Sequence, residues 1–262
     1  MKKVFSRPQS LKRVPFHYCP GCGHSTLHRL IGEIIDEMDL RERIIGVPPA
    51  GCAVLAYNYF DIDMGEAAHG RAAALATGLK RALPDRVVFT YQGDGDIAAI
   101  GTAETVHAAA RGEMFTTVFV NNGVYGMTGG QMAPTTLPGM KSSTSPYGRD
   151  VITMGFPLKI TELVAQLPGT IFVTRQAVHT PANVRKTKKA VRMAFENQLN
   201  KKPGLSFIEI VSNCNSGWKM TPNQSNQWMV DNMFPYYPLG DIKVDGVMVS
   251  QQLSVSGQQS KT

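Results

Sequence analysis

Short apolar runs alternate with segments of helical period along most of this chain. Residues 43–47, 86–92, 114–120, 170–174 and 206–211 have the β-branched, apolar content of strands covered on two faces. Between them the period changes. Leu27, Leu30, Ile31, Ile34, Ile35 and Met38 recur at helical spacing within 25–38, and Ala72, Leu75, Ala76 and Leu79 form a narrow stripe within 67–83. Small residues on that second stripe allow close approach of helix to sheet. Further helices are predicted over 97–111, 160–167 and 181–200. Strand and helix in alternation imply β-α-β units, hence an α/β fold with a parallel sheet and helices on both faces.

Two stretches break the alternation. Residues 135–150 are too rich in Gly, Pro, Ser and Thr for regular structure, and a long loop in a compact domain reads as a lid or a subunit contact. Past Trp218 periodicity fades, with Trp228, Met229, Met233, Phe234, Tyr236 and Tyr237 close together. The expected organisation is an N-terminal arm over 1–14, a main domain over 15–215 and an irregular C-terminal extension over 216–262. That extension is expected to embrace its own domain or a neighbouring subunit and to end disordered from 250.

Composition narrows the function. The 262 residues suit one domain with an extension, and no run approaches the roughly 20 apolar residues that span a bilayer. A cytoplasmic protein without a membrane partner is expected. The net charge of +7 invites a nucleic-acid reading, yet the basic residues are dispersed apart from Arg185, Lys186, Lys188, Lys189 and Arg192, and no nucleic-acid module accompanies them. On a helix such a cluster is a solvated face, or a docking face for an acidic electron carrier or subunit.

Candidate chemistry gathers at the ends of the predicted strands. Gly93-Asp94-Gly95-Asp96 closes one strand and Asn121-Asn122 the next, with Asp94 and Asn122 standing 28 positions apart around an Ala-rich helical stretch. A right-handed β-α-β unit brings both to the carboxyl edge of the sheet, where such folds bind ligands. Gly93 and Gly95 let backbone N–H groups close on a phosphate at the start of the following helix. The Asp94 carboxylate, the Asn122 amide oxygen and the Val124 backbone carbonyl offer Mg²⁺ three hard ligands, leaving about three octahedral positions for diphosphate and water. Asp96 and Asn121 are competing ligands in a shifted register, though Asp96 serves more simply as a helix cap or a diphosphate contact.

The cysteines number four. Cys19 and Cys22 flank Pro20-Gly21 in a turn suited to one metal or one face of a cluster, and Cys52 and Cys214 complete the set. Their intervals fit neither a standard zinc ribbon nor a standard ferredoxin run, so structural zinc, iron–sulfur, a disulfide and buried thiols all stand open. No secretory signal precedes them, which argues against disulfides. Cys52 lies just after the strand over 43–47, a second strand end feeding the same edge.

The Gly-Asp-Gly and Asn pairing, followed by Val124-Tyr125-Gly126-Met127-Thr128-Gly129-Gly130-Gln131, resembles the thiamine diphosphate motif. With Cys19 to His24, Gly51-Cys52, His69-Gly70-Arg71 and Cys214, the pattern resembles the β subunit of the 2-oxoacid:ferredoxin oxidoreductases over about residues 15–215. The resemblance implies a thiamine diphosphate-binding fold, with a [4Fe–4S] cluster on Cys19, Cys22, Cys52 and Cys214. It implies that Ala50, Gly51, Cys52, Ala53 and His69 line the cofactor with Gly70 and Arg71 beside them, and that Gly95, Asp96, Gly126 and Met127 lie near the diphosphate.

The activity implied is CoA-dependent oxidative decarboxylation of a 2-oxoacid to acyl-CoA and CO₂, with electrons passing through the cluster to ferredoxin. No catalytic side chain is assigned within the chain. C2 of thiamine is the nucleophile, and the activating glutamate and pyrimidine-binding surface belong to an α subunit; γ and δ ferredoxin-like chains complete larger assemblies. Residues 125–136 and Tyr236-Tyr237-Pro238-Leu239-Gly240 resemble the 2-oxoisovalerate and 2-oxoglutarate branches. Two other readings compete: a nonoxidative thiamine diphosphate-dependent decarboxylase or synthase with structural zinc, and a zinc-stabilised, non-catalytic binding protein.

Overall fold

A computed structural model describes residues 6–249; residues 1–5 of the expected arm and the expected disordered end, 250–262, lie outside the described residues. The strands are β1 (Ile44–Val47), β2 (Asp63–Met64), β3 (Val87–Gly93), β4 (Thr116–Asn121), β5 (Val124–Tyr125), β6 (Gln131–Met132), β7 (Thr170–Ala177), β8 (Leu205–Val211), β9 (Gly240–Val244) and β10 (Val247–Met248). The helices are α1 (Gly23–Glu37), α2 (Ala56–Tyr59), α3 (Ala72–Ala82), α4 (Thr102–Arg111), α5 (Val151–Met154), α6 (Ile160–Ala165), α7 (Pro181–Leu199), α8 (Pro222–Trp228) and α9 (Phe234–Tyr236). Two π-helical turns, Asp96–Ile100 and Met229–Met233, precede α4 and α9.

Eight strands form one sheet in the order β10-β9-β7-β8-β4-β3-β1-β2, parallel from β7 to β2. Side chains alternate between its faces as the pleat requires. Phe89, Tyr91, Val118 and Val120 pack with Leu27, Ile31 and Ile34 of α1 and Val191, Ala194 and Phe195 of α7. Val88 and Phe119 point the other way, to Ala72 and Ala76 of α3, Ala108 of α4 and Val164 of α6. The sequence-based expectation of a largely parallel sheet with two helical layers is met.

The C-terminal extension packs on its own domain, one of the two expected arrangements, but is more regular than expected. Instead of remaining irregular it adds β9 antiparallel to β7 and β10 antiparallel to β9, so it completes the sheet of the main domain. Asp245 and Gly246 turn the hairpin with φ of 48° and 78°, the left-handed pair that a two-residue type I′ turn needs. Upstream, Met229, Met233 and Tyr237 pack with Val124, Leu137, Met140 and Trp218 into a third apolar cluster. That cluster ties the polar stretch after β6 to the carboxyl edge of the sheet.

Other boundaries shift for local reasons. The helix expected over 67–83 starts at Ala72, because Ala67 bridges Pro49 as extended chain and Gly70 adopts φ +79°. The basic face of α7 is partly spent inside the molecule. Lys188 pairs with Glu33 and Glu37 of α1 at 2.9 and 2.6 Å, and Arg192 also pairs with Glu37. Among the described residues no helix is long and apolar enough to cross a membrane.

Candidate functional site

Because β1, β3, β4 and β8 run parallel, the loops after Val47, Gly93, Asn121 and Val211 leave the sheet at one edge. Those loops carry Cys52, Asp94, Asn122 and Cys214. A cavity of about 250 Å³ opens among them, lined by Ala50, Gly51, Cys52, Ala53, His69, Gly93, Asp94, Gly95, Asp96, Asn122, Val124, Gly126 and Met127. Larger surface clefts of about 350 and 480 Å³ lie against α7, away from the strand-end loops that carry Asp94 and Asn122.

Asp94 is fully buried at the cavity wall. Its carboxylate accepts from Gly95 N–H at 3.0 Å and from Thr135 Oγ1 at 2.9 Å. Burial nevertheless pushes its carboxyl up to about 6, against the pull of the Thr135 hydroxyl and nearby backbone N–H groups. No cation is among the groups that shift it, and the cavity lining includes neither Lys nor Arg. A buried carboxylate without a counter-ion, in a cavity lined by neither Lys nor Arg, fits a divalent cation that brings charge to both the protein and a bound diphosphate.

The two neighbouring asparagines separate cleanly. Asn121 turns into the sheet, donating to Glu209 at 2.7 Å and accepting from Gly123 N–H at 3.2 Å, and it is absent from the lining. Asn122 faces the cavity, and its Oδ1 accepts from Val124 N–H at 3.2 Å in an Asx turn. The structure therefore brings Asp94, Asn122 and Val124 to the cavity wall and leaves Asn121 in the sheet.

Asp96 is neither the expected helix cap nor a free contact for diphosphate. Its carboxylate accepts from Gln92 at 2.5 Å, from His69 Nδ1 at 2.7 Å and from Gly70 N–H. These bonds hold the His69 ring at the cavity wall and engage the Gly70 amide, and Gly70 itself is not part of the lining. Arg71 points elsewhere, half-exposed and paired with Glu104 of α4, so the structure does not bring it to the cavity. Glu104 stands on the helix that Arg71 meets across the 70–101 contact, a pairing invisible in sequence.

The cysteine sulfurs form an electrostatic neighbourhood, and all four thiols are free. Burial raises Cys22, and it pushes Cys52 and Cys214 up to about 12, with repulsion among the cysteines adding to each. Thiols held protonated in this way release protons when a cationic centre binds them, and four sulfurs suit zinc or iron–sulfur. Among the described residues no three Cys, His, Asp or Glu side chains are gathered closely enough to hold one metal ion.

Gly126 joins the two halves of the site. A Cβ there would stand 3.2 Å from Cys214 Sγ, 3.5 Å from Cys52 Sγ and 3.8 Å from Asn122 Nδ2. The absent side chain lets the sulfurs and the Asp94–Asn122 cavity share one thin wall. Gly95 serves similarly, since a Cβ there would overlap the Tyr125 ring at 2.0 Å.

His24, Tyr125 and Thr128 also line the cavity. Each lies in a motif already singled out, but its direction depends on packing. His24 Nδ1 meets Tyr91 Oη at 2.6 Å under the stacked ring of Tyr18, and burial lowers the imidazole to about 4. His28 Nδ1–H donates to the His24 carbonyl at 3.1 Å, so its Nε2 accepts from Tyr18 Oη at 3.1 Å.

Comparison with known proteins agrees with this geometry. The family model described as thiamine pyrophosphate enzyme, C-terminal TPP binding domain, matches residues 50–210. The chain is 44% identical over 252 residues to ketoisovalerate oxidoreductase subunit VorA of Methanothermobacter marburgensis, covering 92% of this chain and 52% of that one. It is 37% identical over 204 residues to 2-oxoglutarate synthase subunit KorB of Methanocaldococcus jannaschii, covering 77% and 70%. The solved structure of a 2-oxoglutarate:ferredoxin oxidoreductase from Magnetococcus marinus, with 2-oxoglutarate, coenzyme A and succinyl-CoA bound, superposes with a TM-score of 0.72 at 27% identity. That match covers 88% of this chain and 74% of the other. The chain spans about half the length of the ketoisovalerate oxidoreductase subunits it matches.

Proposed function

This chain belongs to the thiamine pyrophosphate enzymes, through their C-terminal TPP-binding domain, and to the 2-oxoacid:ferredoxin oxidoreductase subunits, and from that premise we propose its task. It is the β subunit that holds thiamine diphosphate, Mg²⁺ and a [4Fe–4S] cluster in a CoA-dependent 2-oxoacid oxidoreductase. The observation that carries this reading is the Gly126 wall, which sets two cysteine sulfurs within 3.5 Å of a point that is also 3.8 Å from the Asn122 side chain. So thin a partition favours a function that couples the two sites.

When bound, thiamine diphosphate supplies the electron sink for loss of CO₂ from a 2-oxoacid. The chain's own residues hold and insulate. Asp94, Asn122 and the Val124 carbonyl would hold Mg²⁺, and the turn at Gly93 and Gly95, which has no side chains at the cavity wall, would leave room for the diphosphate. Cys19, Cys22, Cys52 and Cys214 would hold the cluster, which would supply a one-electron acceptor beside the thiamine.

A second subunit is part of the proposal. The cavity of about 250 Å³ falls below the ~300–1,000 Å³ that usually encloses a whole ligand, and its only carboxylates, Asp94 and Asp96, are both engaged. An α partner then brings the activating glutamate and the pyrimidine-binding face; γ and δ chains, where present, carry further clusters. The 44% identity to a ketoisovalerate subunit, against 37% to a 2-oxoglutarate subunit, favours a branched-chain 2-oxoacid as substrate.

The test is metal and cofactor content of the anaerobically purified complex. About four irons and four sulfides per chain, lost with Cys52→Ala while thiamine diphosphate stays bound, are expected. One zinc without iron refutes the electron-transfer reading, and zinc without thiamine refutes catalysis.

A further inference from the structure

Thr135 and Thr136 lie in the stretch that sequence marks as irregular, yet both are completely buried. Thr135 Oγ1 donates to Asp94 Oδ2 at 2.9 Å. Thr136 Oγ1 donates to the carbonyl of Gly123, the residue between Asn122 and Val124, and accepts from Ala133 N–H at 2.9 Å. Asp94 and the Asn122–Val124 turn follow different strands, and this one dipeptide touches both.

The dipeptide is itself held from two sides. Tyr237 Oη donates to the Thr135 carbonyl at 2.9 Å, and Arg149 Nη1 donates to the Thr136 carbonyl at 2.7 Å. Arg149 also reaches the carbonyls of Pro134, Gly155 and Phe156, each at 2.9 Å, so its buried guanidinium organises the whole stretch. The Tyr237 ring packs 5.3 Å from the Arg175 guanidinium, which binds Glu209 at 2.6 Å; Glu209 in turn receives Asn121. The network thus returns to the end of β4.

We propose that Thr135-Thr136 is a clasp that sets the spacing between the two halves of the cation site, with Tyr237 and Arg149 as its anchors. All four are positioning residues, acting through Asp94 and the Asn122–Val124 turn. The proposal rests on the reading of those groups as ligands of a divalent cation. Mg²⁺ demands near-ideal octahedral geometry at about 2.0–2.1 Å, whereas Ca²⁺ accepts irregular shells at about 2.3–2.6 Å. A clasp that fixes spacing therefore matters more to Mg²⁺ than to Ca²⁺.

The experiment is calorimetric titration of the purified complex, stripped of divalent cations and supplied with thiamine diphosphate, using Mg²⁺ and then Ca²⁺. Thr135→Val is expected to weaken Mg²⁺ by about 10–100-fold, the usual cost of losing a group that orients a ligand. The Ca²⁺ loss is smaller, and Thr135→Ser restores Mg²⁺ binding. Tyr237→Phe, which removes only a bond to the clasp backbone, is expected to weaken Mg²⁺ by roughly 2–10-fold. It reports on the clasp even where Thr135→Val folds poorly. Unchanged Mg²⁺ affinity in Thr135→Val and Tyr237→Phe overturns the clasp alone, as do equal losses for Mg²⁺ and Ca²⁺. Failure of the unmodified complex to bind Mg²⁺ with thiamine diphosphate overturns the cation-site reading and the clasp with it.

Discussion

Asp94 is expected to destabilise the protein whenever cation and cofactor are absent. Its carboxyl rises from 3.8 to about 6 on burial, a difference that corresponds to about 3 kcal/mol against the ionised folded state. The sign follows from the direction of the shift. Below pH 3.8 the group is protonated in both folded and unfolded chains, and the penalty vanishes. Between there and about 6 the unfolded chain ionises while the folded one resists, so stability falls with rising pH; above about 6 the full penalty applies.

Asp94→Asn removes the charge and keeps the shape. Its amide oxygen accepts from Gly95 N–H, and its NH₂ donates to the Thr135 hydroxyl, which reverses roles. The stripped variant is therefore expected to be about 3 kcal/mol more stable than the unmodified protein at pH 7, or roughly 6–12 °C in Tm. Thermal unfolding of chelator-treated, cofactor-free protein from pH 4 to 8 measures this. Adding Mg²⁺ and thiamine diphosphate reverses the order at a thousandfold excess over Kd, because only the unmodified protein gains binding energy, about 4.1 kcal/mol at that excess. A stripped Asp94→Asn no more stable than its parent at pH 7, or a gap that fails to close toward pH 4, refutes the reasoning.

Three further outcomes are expected. Gly126→Ala sets a methyl 3.2 Å from Cys214 Sγ, so iron per chain falls while the fold persists at a cost of about 1–3 kcal/mol; a full iron load refutes the shared wall. Arg175→Met strands the buried carboxylate of Glu209 and is expected to cost about 3–5 kcal/mol in urea unfolding, with a loss below about 1 kcal/mol counting against the network. Arg71→Ala breaks only a half-exposed pair with Glu104, so stability changes by less than about 1 kcal/mol and thiamine diphosphate affinity holds; a tenfold affinity loss would return Arg71 to the site.

The ease with which Cys52, Asp94, Asn122 and Cys214 were legible comes from topology. A parallel sheet sends every strand's carboxyl end to one edge, so apolar runs that mark strands also mark where their next residues meet. No such rule locates side chains that turn inward. Arg175 and Glu209 sit within strands whose apolar neighbours hide them, and their partners, Glu162 and Asn121, come from other elements. Strand β9 was missed because Gly240–Val244 is short and polar, although Asp245-Gly246 is a hairpin signal in its own right.

The Thr135-Thr136 dipeptide marks the deeper limit. Hydroxyls that bond to a carboxylate and to a backbone carbonyl leave no periodicity, and a stretch held by Arg149 through carbonyl oxygens reads as loop because its bonds are not those of a helix or strand. Yet the need for such a stretch follows from the legible part. On the proposed reading, ligands on two different strand ends would inherit the sheet's spacing, about 4.8 Å between neighbouring strands, and a cation with ligand distances near 2 Å would require closer control than that. Some segment must bridge the two ends. Here it comes from beyond β6, and the C-terminal extension that adds β9 to the sheet also delivers Tyr237 to hold it. If the clasp proposal holds, the extension and the loop are parts of the site, joined to Asp94 and the Asn122–Val124 turn through Thr135, Thr136 and Tyr237.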